Sequence, residues 1–118
     1  MTTQLKEKLL TEAKSLVKTA KNELARPEED VVTYIVCEKA YQSVKKFLMH
    51  YLEDNQIDLP GNHTIDELVK VCREFNPSFT TIDFEPMLEF RDKEDIWADM
   101  IVASLYVDIA EKTQQLVS

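Results

Sequence analysis

The sequence predicts an all-α protein, an antiparallel up-and-down bundle of four to five helices. Three observations lead there. Apolar residues recur by threes and fours over long stretches of chain, the period of a helix with one buried side. A single glycine in 118 residues, with 44% apolar and 31% charged, suits a soluble helical protein better than a sandwich or a disordered tail. The apolar face of the second periodic stretch is too wide for one neighbour, which puts that helix at the centre of a bundle. At this length, residues 1–118 make one domain.

In the first stretch, Thr2 to Leu24, apolar residues fall at Leu5, Leu9, Ala13, Leu16, Ala20 and Leu24, with Leu10 and Val17 beside them. Arg26-Pro27 ends this helix, because the residue before proline is pushed out of the α region. Pro27 suits the first turn of the next helix, where Glu28, Glu29 and Asp30 would complement the positive end of its dipole. So short a connection predicts that the first two helices lie antiparallel. The second helix runs from Val31 to about Asp54. Its stripe comprises Val31, Tyr34, Ile35, Tyr41, Val44, Leu48, Tyr51 and Leu52, broadened by Cys37, Ala40 and Phe47. Val44 and Leu48 should be buried against the first and last helices.

Asn55 to Asn62 forms a loop around the turn pair Pro60-Gly61. Thr64, with Glu67 three residues on, reads as a capping box. The third helix then buries Ile65, Leu68, Cys72 and Phe75 and stops before Asn76-Pro77. Ser78 to Phe90 reads as a loop with a helical turn or two near Glu85 to Phe90. Thr80, Thr81, Ile82 and Phe84 are strand-type residues, but nothing else in the chain could pair with a strand there. The last helix should begin between Asp92 and Asp95. Ile96, Met100, Ala103, Val107 and Ala110 form its stripe, which Trp97, Ile101, Leu105 and Ile109 widen. From Ile96 to Ala110 only Asp99, Ser104 and Asp108 are polar, more apolar surface than one bundle face absorbs. The surplus predicts a homodimer with Trp97, Ile101, Leu105 and Ile109 at an isologous interface.

The net charge of −8, from 22 acids against 14 bases, disfavours stand-alone binding of nucleic acid. Lys14, Lys18 and Lys21 share a helix face and read as solvated. No apolar run approaches the roughly 18 residues of a membrane span. No secretory leader is visible, so the isolated Cys37 and Cys72 read as reduced core thiols and the expected location is cytoplasmic. Gly61 cannot by itself make a phosphate loop, and neither a paired-cysteine nor a Ser/His/Asp signature occurs. A metal site from His50, His63, Cys37 and Cys72 would need four distant residues to converge, so no metal and no cofactor are expected. His50 lies near the end of the second helix, where an imidazolium favours the negative dipole end. The acidic groups Glu28/Glu29/Asp30 and Asp92/Glu94/Asp95 lie where helix N-termini favour negative charge, which makes capping their first explanation.

The second and third stretches carry wording that points to a family. C-E-K-A-Y-Q-S-V-K-K-F-L, a loop with proline, then H-T-I-D-E-L-V resembles the central hairpin of HEPN domains. Ala40, Gln42, Val44, Lys46 and Leu48 match that family's A-x-Q-x-V-x-K-x-L run, and His63, Ile65 and Leu68 match the start of its next helix. The resemblance implies a bundle of four or five helices, usually dimeric. It also implies one of two activities: metal-independent RNA cleavage through an R-x(4–6)-H motif, or association with a minimal nucleotidyltransferase or a nucleotide. Arg91, in F-R-D-K-E-D-I-W-A, matches the motif's arginine, but Ile96, Trp97 and Ala98 occupy the places open to its histidine. An RNase of this type needs an imidazole to move protons beside the arginine that steadies the phosphorane. The acid/base half is absent, and Asp92, Glu94 and Asp95 would repel a phosphodiester. The expected function is therefore non-catalytic: self-association, with Arg91, His63 and Lys46 as candidate contacts to a nucleotide or a nucleotidyltransferase partner. The alternatives are a HEPN-type ribonuclease with a displaced base and an unrelated bundle serving as an interaction module.

Overall fold

The computed structural model describes residues 2–61, 63–88 and 99–117, and every element among them is helical. Helix α1 spans Thr2–Leu24, α2 Thr33–Asp54, α3 Ile65–Phe75, the single turn α4 Glu85–Leu88, and α5 Met100–Val117. Two short 3-10 turns, Glu28–Asp30 and Pro77–Thr81, complete the set. Helix α2 is the hub: α1 lies along one side, α5 along another, and α3 makes a lighter contact. Ion pairs join Lys6 to Asp54 (2.8 Å) and, further along α1 but further back along α2, Glu12 to Lys46 (3.0 Å), so the two helices are antiparallel.

The buried line of α1 is Leu9, Ala13, Val17 and Ala20. It passes through Val17 where the sequence pattern favours Leu16, which is only half-buried, and Leu5 is left exposed. Ala13 and Ala20 on α1, with Ala40 and Ser43 on α2, are wholly buried. Small side chains in such a seam let helix axes approach closely. Ser43 Oγ donates to the Ala40 carbonyl (2.7 Å) and Thr113 Oγ1 to the Ile109 carbonyl (2.8 Å), so both buried hydroxyls are satisfied within their own helices. Val44, Phe47, Leu48 and Leu52 have no exposed surface.

The α1–α2 connection departs from the sequence reading. Pro27 is extended (φ −52°, ψ 141°), and Glu28–Asp30 form their own 3-10 turn instead of the first turn of α2. Val32 is the N-cap of α2 but has no capping side chain of its own. Glu23, from the end of α1, takes that role: its Oε2 accepts from the Val32 N–H at 2.9 Å, while Arg26 pairs with the same carboxylate. The Val32 hydrogen bond, and then Arg26, hold the Glu23 carboxyl below its ordinary value of 4.5 against an opposing desolvation. A lowered carboxyl pKa stabilises the fold above the unfolded value, and that contribution is lost as pH falls through the folded one. The wild type should therefore exceed a Glu23→Gln variant in stability near neutral pH, with the gap shrinking below about 4.5. Denaturant titrations at neutral and acid pH check this; a pH-independent gap would remove the capping account.

Helix α2 ends in a Schellman turn. Gln56 takes φ 60°, the Ile57 N–H reaches the Leu52 carbonyl (2.8 Å), and the Gln56 N–H reaches that of Glu53 (3.1 Å). Thr64 then caps α3, its hydroxyl accepting from the Glu67 N–H at 3.3 Å. Helix α3 buries Ile65, Leu68, Val69 and Cys72, whereas Phe75, expected inside, is half exposed and meets Tyr51 edge-on at 6.0 Å.

Residues 77–88 form part of the core. Phe79, Ile82, Phe84 and Met87 are all buried, and Phe79 sets its edge against Tyr51 at 4.8 Å. Asn76 opens the segment, its side chain accepting from the Ser78 N–H and donating to the Tyr51 hydroxyl. Tyr106 Oη donates to the Pro86 carbonyl at 2.7 Å and ties α5 to this segment. Helix α5 begins at Met100, with Asp99 as its cap: Oδ1 accepts from the Val102 N–H at 2.9 Å. The sequence placed this start between Asp92 and Asp95, positions outside the described residues; because Asp99 is itself not helical and caps the first turn, α5 starts later than expected.

Candidate functional site

Gln42, Lys45, Lys46 and Met49 follow one another at i, i+3, i+4 and i+7 on α2, so they share one side of the helix. Val44, Phe47 and Leu48, between them in sequence, point into the core. The partly buried stems of the two lysines are thus carried on α2, the helix against which α1 and α5 both pack. The Schellman turn and the Thr64 cap fix where the chain re-enters as α3, and His63 immediately precedes that cap. Gln42, Lys45, Lys46, Met49 and His63 line a cleft of about 390 Å³. Lys46 and His63, picked from the sequence as candidate contacts, are brought together here.

Lys46 also borders a second cleft, about 430 Å³, between α1 and α2, with Thr11, Glu12, Ser15, Leu16 and Gln42. Its ammonium lies 3.0 Å from Glu12 Oε1. That hydrogen bond, aided by the charges of Lys46 and Lys8, holds the Glu12 carboxyl below its ordinary value despite some desolvation. Lys46 therefore stands between an acid on one flank and, on the other, a cleft with no acid among its described lining residues.

A third cleft, about 480 Å³, lies over α3 and carries Asp66, Lys70, Arg73, Glu74, Asp83 and Glu85 above Val69 and Phe84. Its arginine is committed to structure. Arg73 Nη2 donates to the Ile82 carbonyl at 3.0 Å, and the guanidinium lies 5.7 Å from the centre of the Phe84 ring.

Neither a family model, nor a curated protein, nor a solved structure matches the chain. What the clefts can do follows from their own groups. Among the described residues no three of His, Cys, Asp and Glu converge to hold a metal ion. The thiols are poor nucleophiles: burial, with the Asp99 charge adding, pushes Cys37 up to about 11, and burial pushes Cys72 to about 12. His50 is buried, and its Nδ1 lies 2.8 Å from the Lys6 carbonyl; since a carbonyl only accepts, that nitrogen carries the proton. His63 is exposed. No helix among the described residues is long and apolar enough to cross a membrane.

Of the other candidates, Arg91 and Trp97 lie outside the described residues. Ile101 is 79% exposed and Leu105 41%. Ile109 is 3% exposed and belongs to the chain's own core, which corrects its assignment to an interface. The reason is angular. Ile101 and Leu105 are one turn apart on the outer side of α5, whereas Ile109 falls with Tyr106 and Ala110 on the side that faces the bundle. Lys45 and Met49 were not singled out in the sequence, although their spacing from Gln42 and Lys46 on a helix was enough to place them.

Proposed function

We propose that this chain is a non-catalytic helical domain of HEPN type that works by association. It pairs with a second copy through the outer side of α5, and it meets a nucleotide or a nucleotidyltransferase partner at the side of α2 that carries Lys46 and His63. The observation that carries the first half is the exposure of Ile101 and Leu105, one turn apart on a helix whose opposite side is core. Covering two large aliphatic side chains favours association, and a second copy presents the same strip in return. An Ile101→Glu variant should then shift the protein to monomer while leaving its helical content unchanged.

The second half rests on the resemblance in the α2–α3 hairpin and on the grouping of Lys45, Lys46 and His63 about one cleft. Against catalysis stands the absence of any histidine after His63 in the sequence, together with the commitment of His50 to the Lys6 carbonyl. No metal-independent cleavage of single-stranded or structured RNA is expected from the pure protein. Gel assays with end-labelled RNA check this. Cleavage that survives repurification and disappears in an Arg91→Ala variant would replace this reading with the ribonuclease one.

A further inference from the structure

We propose that the cleft lined by Gln42, Lys45, Lys46, Met49 and His63 is a site for a small phosphate monoester, whose terminal oxygens are taken by the two lysines and the histidine. This names the ligand class for the binding half of the function proposed above and is independent of self-association. In a chain with 22 acids and 14 bases, a concave site whose described lining holds two lysines, a histidine and no carboxylate gathers positive charge against the balance of the molecule. Its volume, about 390 Å³, falls within the roughly 300–1,000 Å³ typical of small-molecule sites.

Charge chooses among anions. A phosphate monoester carries about −1.5 to −2 near neutral pH and offers three acceptor oxygens. Lys45 contributes one full positive charge, with no ion pair among the described residues. Lys46 contributes part of one, because Glu12 shares it, and the His63 imidazole adds a ring N–H donor. A carboxylate, with a single negative charge and two acceptor oxygens, matches less of this charge than a phosphate does. A phosphodiester strand would have to run across a surface whose net charge is −8. Gln42 supplies a neutral amide for a hydroxyl or carbonyl of the ligand, and Met49 gives its apolar portion an adaptable surface.

Amide spectra of the ¹⁵N-labelled full chain, titrated with phenyl phosphate at low ionic strength and neutral pH, test this. Saturable shifts are expected on the Gln42 to Met49 turns and near His63. The Lys45→Gln/Lys46→Gln double variant should lose roughly tenfold or more in affinity. Both positions have solvent-reaching heads on a helix whose core side is untouched, so its thermal melt should match the wild type. Glu12→Gln, which releases Lys46 from its partner, should instead tighten binding by about two- to fivefold. Adenosine monophosphate and a phosphoserine peptide, run in parallel, distinguish a free metabolite from a modified side chain as the source of the group. Non-saturating shifts, equal response to benzoate, or binding that the double variant retains would each overturn the proposal. None of these outcomes bears on whether the chain dimerises.

Discussion

Replacing Leu48 by alanine is expected to destabilise the protein by about 2–5 kcal/mol, the cost of lost burial together with the cavity left behind. Leu48 has no exposed surface and lies in the C-terminal half of α2, the helix on which both α1 and α5 pack. Neither neighbour can shift to fill the gap without loosening its contact with the rest of that helix. For a domain of this size the loss corresponds to a melting point lower by on the order of 10 °C. Lys18→Ala, a change on the solvated side of α1, should alter stability by less than about 0.5 kcal/mol. Denaturant titrations of the two variants check the assignment; coincident midpoints would mean that Leu48 does not face the core.

An equal or larger loss, about 3–5 kcal/mol, is expected for Phe79→Ala. Phe79 belongs to the 3-10 turn Pro77–Thr81 and is wholly buried, with its ring edge-on to Tyr51 at 4.8 Å. Such aromatic pairs contribute about 0.5–1.5 kcal/mol beyond area burial, so a double-mutant cycle with Tyr51→Leu should return a coupling of that size. The prediction separates two views of residues 77–88. As a surface loop the segment would tolerate the change within about 0.5 kcal/mol. As a wall of the core, with Ile82, Phe84 and Met87 beside Phe79, it would not.

That segment also shows where sequence reasoning stops. The bounds of α1, the end of α2 and the start of α3 follow from long helical periodicity, Arg26-Pro27 and the Thr64 cap, all local signals. A five-residue 3-10 turn and a four-residue helix hold too few turns to show a period, so four buried side chains between Phe79 and Met87 read as a loop. Glu23 capping a helix nine residues ahead leaves no trace in spacing, and neither does a Schellman turn closed by Gln56 where glycine is usual. Phe75 was misplaced because periodicity gives a face without saying how far the core extends beneath it. At the candidate site, Lys46 and His63 came from the resemblance, and only the return of the chain through the capped α3 start brings them to one cleft.

Sedimentation equilibrium of the wild type and of Ile101→Glu at micromolar concentration tests the central claim, that this domain works by association. Ile101, 79% exposed at the start of α5, is the most exposed large apolar side chain among the described residues. A concentration-dependent dimer is expected for the wild type and a single species near 13.7 kDa for the variant, with the same helical content in both. A wild type that stays near 13.7 kDa at every concentration would contradict the claim.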